Sequence, residues 1–234
     1  MKKITWYYLA EFMDVLPKIN IIFEDNHLLV VEKPVNMPVC EDESRDLDLL
    51  TVLKNYIKEK YNKPGNVYLG LVHRLDRPVC GVMVFAKTSK AASRLSKQVV
   101  DRELEKTYLA VVCGKTPDSG KCFDYLVKDQ KKNQSYVTDK TKGKEAKLTY
   151  ERLNFKDGFS LIEVHLETGR SHQIRVQFSS RGFPLVGDAK YNKNHGGNTS
   201  VALFAKRLSF THPVTKEKLC FELNIPDRYP FNKF

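Results

Sequence analysis

The 234-residue sequence contains no apolar run of about 18 residues, the length that a membrane-crossing helix needs. Cysteine is sparse. Cys40, Cys80, Cys113, Cys122 and Cys220 are odd in number, scattered in spacing and free of any Cys-x-x-Cys pair. This argues against a disulfide framework and against a cysteine-built zinc site, and fits reduced thiols in a cytoplasm. The 12 glycines and 10 prolines are far too few for a collagen-like chain. Acidic residues are the scarcer charge, 28 against 39 Lys and Arg, which leaves a net charge of +11. Hydrophobic residues make up 41% and aromatics 11%, too much apolar material for a disordered chain and enough for a core without staples. The charge is a statement about partners: nucleic acid, an acidic membrane surface or a polyanionic substrate, against a merely solvated surface.

The first residues, MKKITWYYLAEFMDVLP, start with lysines and turn partly apolar, but Glu11 and Asp14 interrupt the stretch and no small-residue cleavage site follows. A signal peptide is not expected. Residues 19–31, INIIFEDNHLLVV, read as a β-hairpin, with Lys33-Pro34 ending its second run. Leu49, Leu50, Leu53, Ile57 and Tyr61 recur at helical spacing, with Asp46 or Asp48 as a cap and Pro64-Gly65 as a stop. Residues 81–87 read as a buried strand. Thr88 or Ser89 caps the next helix, on which Lys90, Arg94 and Lys97 form a basic stripe. Residues 107–113 and 159–166 are strand-like. The lysine-rich stretch 128–147 reads as an exposed hairpin or loop, or as a basic arm on a phosphate backbone. Ser171 is expected to cap a short helix carrying Ile174 and Phe178, which Gly182 and Pro184 stop. Residues 201–210 and 218–225 close the chain as strands. These elements predict one compact α+β domain over residues 19–234, with a mixed, mostly antiparallel sheet flanked by helices and loops, preceded by a segment 1–18.

The densest polar cluster is His73-Arg74-Leu75-Asp76-Arg77-Pro78. Positive charge beside a carboxylate favours its ionised form, which suits a nucleophile, a general base or a metal ligand. The plainer reading is an Arg–Asp ion pair that closes a loop. Kinase-type phosphoryl transfer is excluded by context: Leu75 interrupts the HRD pattern, no Gly-rich loop precedes it and no DFG follows. No set of additional Asp, Glu or His at matched spacing completes a metal site.

HRLDRPVCGVMVFAKT at 73–88 closely resembles the signature of RluA-type RNA pseudouridine synthases, H-R-L-D-x-x-T-S-G-L-x-x-x-A-K. EDNHLLVVEKP at 24–34, Lys106-Thr107-Tyr108-Leu109-Ala110 and TGRSHQIRVQFSSRGFPLVGDAKY at 168–191 resemble three further blocks of that family, in its order. The resemblance covers about residues 20–225. Departures are Val79 and Cys80 for Thr and Ser, Asn36 for a common Gly, Cys40 near a common His, and Gln177 for a frequent His. An S4 RNA-binding module is not expected ahead of the first motif.

The resemblance implies isomerisation of uridine to pseudouridine in structured RNA, rRNA or tRNA, with no cofactor, no metal and no membrane, by a cytoplasmic monomer. It implies Asp76 as the nucleophile or stabiliser and Arg170 as the arginine that holds that carboxylate. Tyr108 would pack on the uracil, its hydroxyl a base for the C5 proton. Arg74 fills the space of a flipped nucleotide or grips a phosphate. Ile174 forms an apolar wall. His73, Arg175 and Lys206 are further RNA or substrate contacts. A catalytically degenerate RNA-binding protein of the same fold is the alternative, and an unrelated Asp-dependent hydrolase of an anionic substrate is a third reading.

Overall fold

The computed structural model describes residues 19–194 and 200–234. The expected N-terminal segment 1–18 lies outside the described residues.

The chain opens with the predicted hairpin, β1 (Asn20–Glu24) against β2 (Leu28–Lys33). Asp25 makes the turn: its Oδ1 accepts from the N–H groups of His27 at 2.7 Å and Leu28 at 2.6 Å. Helix α1 (Leu49–Lys60) follows, capped by Asp48, whose carboxylate accepts from the backbone N–H of Thr51 at 3.0 Å and its hydroxyl at 2.7 Å. After β3 (Gly70–Leu71) comes β4 (Cys80–Ala86), buried at every residue. Thr88, not Ser89, caps α2 (Ser89–Val100). The rest of the chain is β5 (Glu105–Cys113), β6 (Ser119–Asp129), β7 (Gln134–Thr138), β8 (Lys144–Lys156), β9 (Phe159–Leu166), α3 (Gln173–Ser179), β10 (Leu203–Thr211) and β11 (Lys218–Glu222), with a closing 3-10 turn at Phe231–Lys233.

Among the described residues the strands form a single sheet in the order β1-β2-β4-β10-β5-β9-β8-β6-β7, with β11 on β10 and β3 on β4. Every pairing is antiparallel except β4 with β10. The fold is therefore α+β with a mixed, mostly antiparallel sheet, as expected. Antiparallel hairpins need only short turns, so among the described residues eleven strands fit with three α-helices.

Both faces of the sheet centre are covered, which explains the unbroken apolar runs LLVV and GVMVFA. On one face Leu29, Val31, Met83, Phe85, Tyr108, Ile162 and Val164 pack against α1 and against Ile174 and Phe178 of α3. On the other, Leu28, Val30, Val82 and Val84 pack against Ala91 and Leu95 of α2. The α2 basic stripe is thus on the face opposite α3. It is largely engaged internally: Arg94 donates to the Pro213 carbonyl at 2.8 Å and Lys97 pairs with Asp101.

The parallel β4–β10 contact depends on Gly81. Its φ is +125°, and a Cβ there would lie 2.7 Å from the Ala205 backbone nitrogen. No side chain fits that approach.

One local expectation is corrected. Ser171 does not cap α3. The cap position is His172, in the left-handed region at φ 54°, and it makes no side-chain cap bond. Gln173 ties the entry instead: its Oε1 accepts from the Arg170 N–H at 3.0 Å and the Thr168 hydroxyl at 2.8 Å. The 128–147 stretch is the expected hairpin, in which β7 and the start of β8 both pair with β6.

Candidate active site

The loop 73–79 leaves β3 and enters β4, carrying Asp76 to the α1–α3 face. Buried Leu75 and Val79 pin the loop on either side of the aspartate, and the Val79 N–H donates to the Asp76 carbonyl at 3.0 Å. A second fastening comes from Lys33 at the end of β2. This lysine is fully buried, and its ammonium donates to the backbone carbonyls of Pro34 at 2.8 Å and Arg77 at 3.0 Å. Burial lowers its pKa to about 8, against the pull of Cys80 and Asp76. Outside the loop, Arg77 holds residues 36–46 through the Asn36 carbonyl at 3.2 Å, the Ser44 hydroxyl at 2.9 Å and the Asp46 carboxylate.

Asp76 keeps a quarter of its side chain accessible. Its Oδ2 accepts from Arg175 Nη1 at 3.1 Å. Arg175 is itself fixed by a two-point bond to the fully buried Asp188, with Nε to Oδ2 and Nη2 to Oδ1 both at 2.7 Å. The Tyr191 ring lies 5.2 Å beneath the guanidinium. Burial opposes the Arg175 charge, but Asp188 and Asp76 outweigh it and raise the pKa. A planar fork suits this task, because two donors lock to one carboxylate while the third reaches the other.

His172 Nε2 stands 3.8 Å from Asp76 Oδ2, and its Nδ1 is 2.8 Å from the Tyr191 hydroxyl, which accepts from the Ser135 N–H at 2.7 Å. Burial lowers the His172 pKa to about 4 despite the Asp76 charge, so the ring is neutral at physiological pH.

The structure thus assembles Asp76, Arg175, Tyr108 and Ile174 on one face, with two changes of role. Arg170 is exposed, and its Nε donates to the Glu145 carbonyl at 2.8 Å. It is Arg175, five residues on and one turn into α3, that reaches Asp76, because the helix axis brings its inward face over the loop. Tyr108 is buried beside Ile174 in the core. Burial, and then the Asp76 charge, push its phenol up beyond the physiological range. In this structure it is part of the core's packing surface.

Two further residues lie where RNA contacts are not expected. His73 serves the sheet. On the edge of β4, β10 pairs with Cys80 and Gly81 while β3 pairs with Phe85 and Ala86, and the Val84 N–H between them donates to His73 Nε2 at 3.1 Å. Burial and the nearby Lys106 lower its pKa to about 3. Lys206 is on the opposite face, bonded to Glu163 at 3.0 Å and Glu222 at 3.1 Å. Strand alternation places it there, next after Ala205, which lies on the α1–α3 side. Arg74, by contrast, is exposed beside Asp76, and among the described residues nothing pairs with it.

Lys33, Asp188 and Tyr191 escaped the sequence reading as site residues. All three stand within the quoted motif blocks, yet a lone Lys, Asp or Tyr carries no sign of burial.

Comparison with known proteins agrees with this geometry. Residues 27–180 match the family model described as RNA pseudouridylate synthase. The chain is 33% identical over 220 residues to ribosomal large subunit pseudouridine synthase D of Zymomonas mobilis, covering 89% of this chain and 69% of that protein. It is 34% identical over 221 residues to the RNA pseudouridine synthase YlyB of Bacillus subtilis, covering 94% and 72% respectively. The solved structure of human RNA pseudouridylate synthase domain containing 4 superposes with a TM-score of 0.75 at 22% identity, over 94% of this chain and 92% of that one, and shares the fold. An aspartate loop held by an arginine from α3, within a chain so matched over most of its length, makes this protein a member of the RluA-type RNA pseudouridine synthase family.

Proposed function

We propose that this protein isomerises uridine in structured RNA, with Asp76 as the nucleophile. The observation that carries the assignment is the Asp76–Arg175–Asp188 arrangement: a partly accessible carboxylate, oriented from below by a buried arginine whose remaining donors are already satisfied. The reaction breaks the C1′–N1 bond and forms a C1′–C5 bond, while C5 loses a proton to solvent and N1 takes one up. Atoms and electrons then balance, so the chemistry asks for no redox partner or energy donor.

Arg175 fixes the orientation of Oδ2 and opposes its charge, leaving the other oxygen for the substrate. Tyr108 and Ile174 supply an apolar wall for the uracil. The target must leave its stack to reach this pocket. Arg74, exposed and unengaged among the described residues, is placed to fill the gap or to meet a flanking phosphate. Residues 19–234 serve as one catalytic unit in the cytoplasm. The names of bacterial relatives refer to the large ribosomal subunit, so large-subunit rRNA is the substrate we assign.

The test is tritium release from unmodified rRNA tritiated at uridine C5. Wild-type protein releases tritium, and Asp76→Ala abolishes release while RNA binding persists. Release by the Asp76→Ala variant removes the nucleophile from its role. Binding without release by the wild type indicates a degenerate binder.

A further inference from the structure

Across antiparallel strands, directly opposed residues share a face. In the β6–β7–β8 ribbon the face toward α3 is buried through Cys122, Leu126, Ala146 and Leu148. Phe123, Tyr125 and Val127 point the other way, with Lys147 opposite Phe123 and Tyr136 opposite Val127. Nothing among the described residues covers them: Phe123 is 50% exposed, Val127 and Tyr136 each 38%. The rings are ordered into a surface. Phe123 and Tyr125 meet edge to face at 5.4 Å, and the Lys147 ammonium lies 5.1 Å over the Phe123 ring.

The charge around these rings has one sign in excess. Residues 119–149 contain eight lysines against four acidic residues. Of those four, Asp124 is turned to the buried face and paired with Arg181 at 2.8 Å, and Glu145 on the outer face is shared by Lys147 and Arg102, each at 3.1 Å. Lysine is depleted from protein–protein interfaces, whereas exposed rings interleaved with lysines suit bases and phosphates. The ribbon is also continuous with the site. At the β6–β7 turn, Lys190 donates to the Asn133 carbonyl at 2.8 Å and Gln134 donates to the Lys190 carbonyl at 3.0 Å. Lys190 stands between Asp188 and Tyr191, the residues that hold Arg175. Lys131 and Lys132 crown that turn, so a strand leaving the site meets positive charge where it passes the end of β7.

We propose that the outer face of the β6–β7–β8 ribbon, centred on Phe123, Tyr136 and Lys147, is a stacking platform for an unpaired RNA segment flanking the target uridine. The platform rests on the reading of this protein as an enzyme acting on RNA. It adds a contact on the face of the sheet away from Asp76, and it predicts preference for substrates whose flank is single-stranded and long enough to cross the edge.

The probe is fluorescein-labelled single-stranded decauridine, with binding read by anisotropy. Phe123→Ala/Tyr136→Ala weakens binding about tenfold, and on C5-tritiated rRNA it raises KM with kcat unchanged. Phe123→Tyr/Tyr136→Phe keeps wild-type affinity. Lys121→Gln/Lys147→Gln lowers the slope of log affinity against log salt by about 1.4. Equal melting temperatures confirm folding, which the exposure of both rings favours.

Wild-type affinity and KM in the double alanine variant overturn the platform. So does self-association of the wild type that this variant loses while its decauridine affinity is unchanged, which makes the face a protein interface. If the wild type releases no tritium but the double alanine variant still loses decauridine affinity, the catalytic reading fails and the platform stands.

Discussion

Arg175 has four contacts that specify its position: two to Asp188, one to Asp76 and one to the Tyr191 ring below. Lysine cannot make that pattern, since its ammonium is a point charge without a rigid fork. Arg175→Lys is expected to lower kcat at least about tenfold, roughly one hydrogen bond to a charged group, with little change in KM for RNA. Single-turnover tritium release measures this, and an unchanged kcat removes Arg175 from the orienting role. Asp188→Ala strands a buried guanidinium and is expected to cost about 3–5 kcal/mol of stability, read by urea unfolding. The motif blocks made Asp76 and Arg175 visible as polar residues near apolar runs. They did not separate Arg170 from Arg175. Both lie in one six-residue stretch, and only the direction of α3 tells which one turns inward.

At the level of elements, strands and helices were legible where periodicity and punctuation agreed. Thr88 and Asp48 cap as their side-chain chemistry requires, and the EDN turn closes the first hairpin. The entry to α3 was misread, because Ser171 is a good cap residue in isolation while the buried Gln173 side chain does the work from inside the helix. The β4–β10 contact was not readable at all, since the two strands are more than a hundred residues apart. Its dependence on Gly81 gives a sharp expectation. Gly81→Ala must either leave its positive φ or push Ala205 away, and is expected to cost several kcal/mol, well above the roughly 1 kcal/mol of a helix-interior glycine change. A thermal melt of the variant within a degree of wild type excludes this account. Asp48→Ala, which removes only a cap, is expected to cost about 1 kcal/mol in the same assay.

For the whole molecule, Glu24 forms one acid-sensitive clamp. Glu24 joins the first hairpin to α1 and to the end of β4 through Lys60 and Lys87, each at 2.7 Å, and through the hydroxyls of Tyr56 and Tyr61. Burial opposes its charge, but these four partners win and hold its pKa down from 4.5 to about 2. A carboxylate with a depressed folded pKa stabilises the fold above its unfolded value, and that contribution is lost as pH falls through the folded one. Unfolding free energy is therefore expected to drop between about pH 4.5 and pH 2, and Glu24→Gln to flatten that drop. Urea titrations across this range measure it, and identical acid limbs in the two proteins place the acid lability elsewhere. The +11 charge belongs to the same scale. Composition marked a polyanion as partner, while pairing in space divided the cations among tasks. Arg175 faces Asp76, Lys206 and Arg94 are tied up internally, and the ribbon lysines outnumber the acidic residues beside them, although Lys147 is paired with Glu145 at 3.1 Å.

What the sequence determined by itself was local or linear: the apolar runs that must be buried, the turns, two of the helix caps, the motif blocks with Asp76 among them, and the sign of the partner's charge. What only the tertiary structure decided was which polar groups meet. Arg175 rather than Arg170 reaches Asp76, Lys33 is buried under the loop, His73 mends a gap in the sheet, and Lys206 faces away. The physical reason is the same in each case. Charge, hydrogen-bonding capacity and residue type are properties of one position, but burial and partnership depend on distances between segments far apart in the chain, and these exist only once the sheet has set its strand order.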